Sequence, residues 1–204
     1  PEKNVIEKSI VKCLKKFGIK NGYIRINIWR QKGEGINPEG TETNSLVIIK
    51  NFVSYPLSFY EQGMNCIISK KIIRNENSPL TRIKSLNFLE NVIGKIEAKE
   101  NNCDETIFLN NKKFLTEATV SNVFLVQKDK VYTPSLICGI LDGITRKVVI
   151  EICKENNIEI KEGEFVSEFL VDCDEVFLTN SLMNVMPVKK IRSLSKRNKS
   201  EITN

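Results

Sequence analysis

Apolar residues recur along the chain with two different periods, and these periods predict its helices and strands. At residues 4–17 the apolar positions are three and four apart, and Gly18 follows where a helix would end. The same helical spacing recurs at residues 86–98 and 144–155. Residues 23–29 instead alternate between isoleucine and polar or charged side chains, which is typical of a half-buried strand.

Further strands are predicted where short apolar runs are bounded by turn residues. They fall at residues 46–52, 65–74, 105–109, 113–117, 121–126, 131–132, 159–163 and 175–179. Residues 31–44, rich in Gly, Glu, Asn and Pro, are predicted to be a loop, and residues 167–170 a short helical turn. The sequence therefore predicts an α+β fold with a partial α/β domain at residues 1–80 and a larger mixed α/β domain at residues 81–204.

The composition narrows the class of protein. Of the 204 residues, 41% are hydrophobic and 27% are charged, and no apolar run approaches the roughly 20 residues that span a bilayer. With no apolar signal region, we expect a cytoplasmic protein without a membrane partner. The formal charge of +6 is spread along the chain, apart from one basic stretch at residues 189–199, where a solvated tail is favoured over a nucleic-acid patch.

Histidine is absent from the sequence. This excludes Ser-His-Asp and Cys-His nucleophile systems, histidine-ligated metals and imidazole acid–base chemistry. The six cysteines form no Cys-x-x-Cys pair, so neither a zinc site nor a redox motif is expected. An enzyme with this sequence must take its proton chemistry from lysine, carboxylates, tyrosine, cysteine or a cofactor.

Two charged residues stand at positions that suit such chemistry. Lys84 lies where the second helix is expected to begin, and a helix start disfavours an ammonium group. A less basic amine suits Schiff-base chemistry, although an isolated lysine is more often a solvated one. Glu117 lies between two apolar strands, so its carboxylate either faces solvent or has a partner such as a protonated pyridine nitrogen.

Two further segments can present backbone N–H groups to an anion. Residues 141–146 lead directly into the third predicted helix, so the N–H groups of residues 143–145 suit a phosphate, unless Asp142 or Thr145 merely caps that helix. Residues 180–187 follow a buried strand, and their small polar members suit a carboxylate or a phosphate. Their apolar members are interpreted first as core residues.

Four short motifs follow one another along the chain. They are Lys84-Ser85-Leu86-Asn87, Glu117-Ala118-Thr119-Val120-Ser121-Asn122, Gly143-Ile144-Thr145-Arg146 and Asn180-Ser181-Leu182-Met183 with Pro187. In order and spacing they resemble the class IV aminotransferase family, the fold-type IV pyridoxal-phosphate (PLP) enzymes, which include branched-chain and D-amino-acid aminotransferases and aminodeoxychorismate lyase. The resemblance spans residues 23–188 and implies PLP as the cofactor, a small-molecule substrate and a homodimer.

The resemblance also implies a role for each matching position. Lys84 would be the Schiff-base lysine, and Glu117 the carboxylate that binds the pyridine nitrogen. The other cofactor positions are Leu141 on the ring, Ser121 and Asn122 beside the cofactor, and Gly143, Ile144, Thr145 and Ser181 at the phosphate. The positions that resemble substrate contacts are Leu182, Arg25 and Arg30.

Two departures from the family pattern bear on activity. The family's His-x-x-Arg-Leu-like segment, which carries a phosphate-binding arginine, does not occur here, so the chain is expected to lack an N-terminal part. Residues 180–187 resemble the version found in aminodeoxychorismate lyase. The leading hypothesis is therefore a lyase that converts 4-amino-4-deoxychorismate to 4-aminobenzoate and pyruvate in the folate pathway. The alternatives are a class IV aminotransferase of branched-chain or D-amino acids with a 2-oxo acid acceptor, and a non-catalytic remnant of the fold.

Overall fold

The computed structural model describes residues 2–31, 37 and 42–192, which form two compact units, Pro1–Ser54 and Tyr55–Asn204. The sequence predicts a boundary after residue 80, whereas the contacts divide the chain after Ser54. The reason is the strand at residues 64–74, which pairs with two strands of the second unit. Part of the predicted loop at residues 31–44 and most of the basic stretch at residues 189–199 lie outside the described residues.

The first unit consists of one helix and a two-stranded antiparallel sheet. Its elements are α1 (Lys3–Phe17), β1 (Gly22–Arg30) and β2 (Thr43–Asn51). The helix ends as predicted, because Gly18 takes a left-handed conformation with φ of 63° and donates its N–H to carbonyls of the last turn. The predicted strand is also confirmed, but Ile24, Ile26 and Ile28 keep 39%, 45% and 48% of their surface exposed.

The second unit contains the remaining helices and strands. They are α2 (Leu57–Gln62), β3 (Met64–Arg74), α3 (Leu89–Glu100), β4 (Glu105–Asn110), β5 (Leu115–Ala118), β6 (Asn122–Gln127), β7 (Lys130–Pro134), α4 (Ile144–Glu155), β8 (Ile160–Gly163), β9 (Glu175–Asn180) and β10 (Asn184–Arg192). Short 3-10 helices lie at Pro79–Arg82, Leu136–Cys138 and Ser167–Val171. This combination of helices with one mixed sheet confirms the α+β class. No helix among these described segments is long and apolar enough to cross a membrane.

The sheet of the second unit closes on itself at one place. Its strand order is β5-β4-β3-β10-β9-β6-β7-β8, and β5 also pairs with β6 through Glu117 and Asn122. The strands from β5 to β6 therefore form a ring, although β5 and β6 stand far apart in the linear strand order. The closure brings together two residues that the motifs single out.

The strands of the ring bury different residues on their two faces. Val123 and Leu125 join the apolar cluster of the ring, whereas Phe124 between them joins the cluster formed with α4. The Phe124 and Phe177 rings stack with centroids 4.9 Å apart. Asn122 and Thr179, paired across β6 and β9, lie on this same α4 side at the end of the strand pair. The fold therefore places polar residues beside the start of α4.

Candidate functional site

Glu117 is a buried carboxylate held by a backbone group and a cation. Its side chain is 13% exposed, and its Oε1 lies 3.5 Å from Nη2 of Arg74. Its Oε2 accepts a hydrogen bond of 3.0 Å from the backbone N–H of Leu141. Burial raises the pKa of Glu117 to about 6, and the Leu141 N–H and the charges of Arg74 and Lys84 oppose that rise. Of the two sequence interpretations of Glu117, the structure therefore shows the buried one.

Asn122 binds the carbonyl group of Leu141, the residue whose N–H binds Glu117. Its Nδ2 donates a hydrogen bond of 2.9 Å to the Leu141 carbonyl, while Glu117 accepts from the Leu141 N–H. Its Oδ1 lies so close to Gly143 that a Cβ at residue 143 would overlap it. The three motif positions Glu117, Asn122 and Leu141 thus form one hydrogen-bonded unit, and Gly143 is required by the close approach of Asn122.

The start of α4 lies next to this unit and is open. Gly143 occupies the N-cap position, and the helix begins with the Lys147 N–H bonding to the Gly143 carbonyl. No side chain among the described residues caps the helix; Asp142 instead lies 2.8 Å from Nζ of Lys147. The N–H groups of Ile144 and Thr145 are therefore available to an anion, as the phosphate interpretation requires. The side chain of Ile144 is 78% exposed, so its contribution there is its backbone.

Two buried hydroxyl groups lack hydrogen-bond partners in the part of the chain that the structure describes. They belong to Ser121, which is 6% exposed, and to Thr179, which is 1% exposed. Leaving a buried polar group unpaired costs about 1–3 kcal/mol, so each such group calls for an explanation, such as a bound ligand or water. Thr179 pairs with Asn122 across the sheet and was not singled out from the sequence, although it directly precedes the last motif. The unpaired Thr179 hydroxyl, which lies on the α4 side of the sheet, and the open helix start fit a group that carries a phosphate.

The loop that joins β9 to β10 is tied by the side chain of Asn180. Its Oδ1 accepts from the N–H groups of Leu182 at 2.8 Å and Met183 at 2.9 Å, and its Nδ2 donates to the Val120 carbonyl at 3.1 Å. The loop is therefore joined to residues 118–121, which follow Glu117. Ser181 and Leu182 lie at its exposed tip, and the N–H of Leu182, a position that resembles a substrate contact, is already bound to Asn180.

Lys84 lies in the connection between the Pro79–Arg82 helix and α3. It is exposed, and its Nζ lies 5.7 Å from the centroid of the Phe88 ring. The prediction that a helix begins near Lys84 is wrong, because α3 begins at Leu89, five residues later. The effect of a helix start is confined to the first turn, so it does not act on this lysine. Lys84 is nevertheless close enough to Glu117 for its charge to act on that carboxylate.

The two arginines expected to contact substrate lie on β1 in the first unit. Both are exposed, and Arg25 donates from Nε to the Asn27 side chain at 3.1 Å. Their assignment as substrate contacts stays a prediction. Another arginine, Arg74, was not singled out from the sequence, although the structure places it against Glu117. A charged residue at the end of an apolar strand was the only signal that could have found it.

Comparison with known proteins identifies relatives for nearly the whole chain. Residues 1–191 match the family model described as amino-transferase class IV. An aminodeoxychorismate lyase of Bacillus subtilis is 34% identical over 197 residues, which cover 95% of this chain and 66% of the relative. The chain thus spans about two thirds of the length of that relative.

Solved structures of two aminotransferases also resemble the fold of this chain. A branched-chain amino acid aminotransferase of Escherichia coli matches with a TM-score of 0.85 and 27% identity, covering 95% of this chain and 66% of that one. A branched-chain amino acid aminotransferase of Thermobaculum terrenum, solved in its PLP form, matches with a TM-score of 0.81 and 25% identity, covering 90% of this chain and 61% of that one.

Proposed function

Because this chain belongs to the class IV aminotransferase family, we propose that it is a PLP-dependent enzyme and that it acts as an aminodeoxychorismate lyase. The observation that carries the cofactor assignment is the pairing of a buried carboxylate, Glu117, with an open helix start at residues 143–145. The hydrogen bonds of Leu141 and Asn122 join these two features. The solved PLP form of a relative supports the same cofactor.

Each end of the proposed cofactor has a chemical partner in this chain. Glu117, ionised above its pKa of about 6, would pair with the protonated pyridine nitrogen. The N–H groups of Ile144 and Thr145 and the hydroxyl of Thr179 would bind the phosphate. Lys84 would hold the cofactor covalently through Nζ. When bound, the cofactor supplies an electron sink for the substrate carbon attached to its nitrogen.

Lys84 would also move the proton of the reaction. Once the substrate's amino group has taken its place on the cofactor, Lys84 would be a free amine and would accept the proton from the ring carbon that bears that amino group. The bond between the ring and the ether oxygen of the three-carbon fragment would break, and the fragment would take up one proton to become pyruvate. The electrons left by the removed proton would complete the aromatic ring of 4-aminobenzoate. The atoms therefore balance without an amino acceptor, in contrast to an aminotransferase, which requires a 2-oxo acid.

The choice of lyase rests on the loop from Asn180 to Met183. An α-amino acid carries its carboxylate on the carbon that bears the amine, so an aminotransferase needs anion donors close to that carbon. In this chain the N–H groups of Leu182 and Met183 are both bound to Asn180. A substrate whose carboxylates are remote from the amine needs no such donors. The similarity to the Bacillus subtilis lyase supports this choice.

The second candidate is a class IV aminotransferase, which the resemblance to the Escherichia coli enzyme favours. In that reaction Lys84 would transfer a proton from the α-carbon of an amino acid to the cofactor, and a 2-oxo acid would complete the cycle. The cofactor residues would be the same. Only the substrate therefore separates the two candidates.

The discriminating experiment offers both kinds of substrate to the protein expressed from its gene. Release of 4-aminobenzoate and pyruvate from aminodeoxychorismate without an acceptor is the expected result. Turnover of D-alanine or of a branched-chain amino acid that depends on a 2-oxo acid, with no lyase activity, would replace the lyase by the aminotransferase. A protein that develops no visible absorbance when PLP is added would remove both.

The homodimer and the cytoplasmic location stay predictions, and light scattering of the purified protein tests the first.

A further inference from the structure

Arg74 ends β3 with its guanidinium buried between two carboxylates. Its side chain is 10% exposed. Nη1 makes a short hydrogen bond to Glu90 on α3, and Nη2 lies 3.5 Å from Oε1 of Glu117. A buried arginine needs such partners, because an uncompensated charge in the interior is strongly destabilising. The two carboxylates differ in that Glu90 is 53% exposed and Glu117 only 13%.

The guanidinium also packs against an aromatic ring. The Arg74 guanidinium carbon lies 4.6 Å from the centroid of Phe108, which is completely buried on β4. Phe108 in turn packs against Gly94 of α3, where an added Cβ would lie 2.6 Å from the ring. Because Glu90 and Gly94 are one turn apart on α3, the helix supports both the ring and the guanidinium. Arg74 is therefore a cation in a fixed position.

Glu117 is faced by few charged groups in the part of the chain that the structure describes. Arg74 approaches it from β3, and Lys84 acts on it from the connection before α3. From the segment before α4 it receives only the Leu141 N–H, and the residue paired with it on β6 is the neutral Asn122. Under the proposed function Lys84 is committed to the reacting end of the cofactor. Arg74 is then the permanent cation beside the carboxylate.

We infer that Arg74 is a positioning residue that keeps Glu117 ionised and directed toward the pyridine nitrogen, an inference that rests on the proposed function. Glu90 opposes this action, because it shares the guanidinium and adds a negative charge nearby. The two residues therefore act on Glu117 with opposite signs. Loss of Arg74 favours the neutral carboxylic acid, whereas loss of the Glu90 charge favours the carboxylate.

The opposite signs provide a matched set of three variants. Arg74→Met removes the cation, and Arg74→Lys keeps the charge without the planar guanidinium group. Glu90→Gln removes the opposing carboxylate. In cofactor-free protein labelled with 13C at the glutamate carboxyl carbons, the signal lost in Glu117→Gln identifies Glu117. Its pKa is expected to rise in Arg74→Met, to rise less in Arg74→Lys, and to fall in Glu90→Gln.

PLP binding provides the functional readout. At neutral pH the Arg74→Met protein is expected to bind PLP about twofold more weakly, since a rise of one unit from a pKa of about 6 lowers the ionised fraction of Glu117 at pH 7 from about nine tenths to about one half. The loss should shrink as the pH is raised and Glu117 becomes ionised again. Should Arg74→Met fail to fold by circular dichroism, the Arg74→Lys and Glu90→Gln pair still tests the two signs.

The possible failures are distinguishable. An unchanged Glu117 titration in both Arg74→Lys and Glu90→Gln overturns the inference, even if the wild-type protein binds PLP and is active. Titrations that shift as expected in a protein that never binds PLP support the charge relationship and overturn the proposed function. A loss of PLP affinity that is equal at all pH values points to structural damage alone and also overturns the inference.

Discussion

Asn122 and Gly143 approach each other so closely that a methyl group at residue 143 would overlap the Asn122 amide oxygen. Asn122 stands on a strand and Gly143 precedes a helix, so this contact sets the distance between β6 and the start of α4. The same asparagine binds the Leu141 carbonyl, whose residue also donates to Glu117. A change at this contact should therefore affect both proposed ends of the cofactor.

Gly143→Ala is expected to impair PLP binding more than stability. The added methyl group must displace the Asn122 side chain or the helix start, which costs about 1–3 kcal/mol as overpacking does elsewhere. Titration with PLP and urea unfolding measure the two effects. Gly163→Ala is the control, because the atoms nearest to its Cβ would be those of the Phe165 ring, at 3.0 Å and beyond. Equal loss of PLP affinity in both variants would show that the Gly143 contact has no special role.

Thr179→Val should separate stability from cofactor binding. The Thr179 hydroxyl is buried without a partner among the described residues, so removing it should leave the cofactor-free protein equally stable or more stable by up to about 1 kcal/mol. The same change should weaken the binding of PLP but not of pyridoxal, which lacks the phosphate. Thr133→Val is the control, because the Thr133 hydroxyl donates to the Val123 carbonyl at 2.8 Å and its loss should destabilise the protein. A Thr179→Val protein that binds PLP normally would contradict the phosphate assignment.

Glu117 should make stability depend on pH in a direction opposite to that of an ordinary salt-bridged carboxylate. Burial raises its pKa to about 6, so the folded protein binds its proton more tightly than the unfolded chain does. The resulting penalty is absent below pH ~4, grows as the pH rises to about 6 and is constant above that.

Glu117→Gln removes this penalty and provides the measurement. The variant is expected to exceed the wild type in free energy of unfolding by about 2 kcal/mol at pH 8, with the difference vanishing near pH 4. Urea unfolding of the cofactor-free proteins at several pH values tests this. The same variant should lose PLP affinity. A difference in stability that does not change with pH would show that Glu117 titrates normally.

Lys84→Ala is expected to abolish the visible absorbance of the bound cofactor while leaving the fold intact. Lys84 is exposed and its described contact is with the Phe88 ring, so its removal should change stability by less than about 0.5 kcal/mol. Absorbance after addition of PLP and thermal unfolding are the measurements. Lys99→Ala, at another exposed lysine, is the matched control. If the Lys84→Ala protein keeps this absorbance, the cofactor is attached to a different lysine.

Asn180→Ala is expected to shift the balance between the two candidate reactions. The change frees the N–H groups of Leu182 and Met183 and breaks the bond to Val120. We expect slower release of 4-aminobenzoate and stronger binding of α-amino acids, whose carboxylate can use the freed donors. Asn180→Asp keeps the acceptor, loses the bond to Val120 and adds a negative charge that itself disfavours a substrate carboxylate, so it should retain the substrate preference of the wild type. If both variants change equally, the bond to Val120 matters and the engaged N–H groups do not.

Features that depend on residues close together in the sequence could be predicted from the sequence. The first helix ends at Gly18 because a left-handed residue terminates a helix locally, and the strand at β1 follows from simple alternation. The order of the motifs around Lys84 and Glu117 was sufficient to identify the family, which the match over residues 1–191 confirms. The absence of histidine by itself excludes whole classes of catalytic chemistry, because it removes the side chain that they require.

Features that depend on distant residues were decided only by the tertiary structure. The closure between β5 and β6 places Glu117 opposite Asn122, and neither periodicity nor propensity specifies that pairing. Because α3 begins at Leu89, no helix start acts on the amine of Lys84, contrary to the prediction from the sequence. Arg74 became relevant only when folding buried it beside Glu117, because burial and the charges of distant residues determine how a carboxylate titrates. The sequence by itself determined the family and most local elements, although not α2, β10 or the start of α3. The close packing of strands and helix determined how the charged groups act on one another, because such contacts join residues that are distant in sequence.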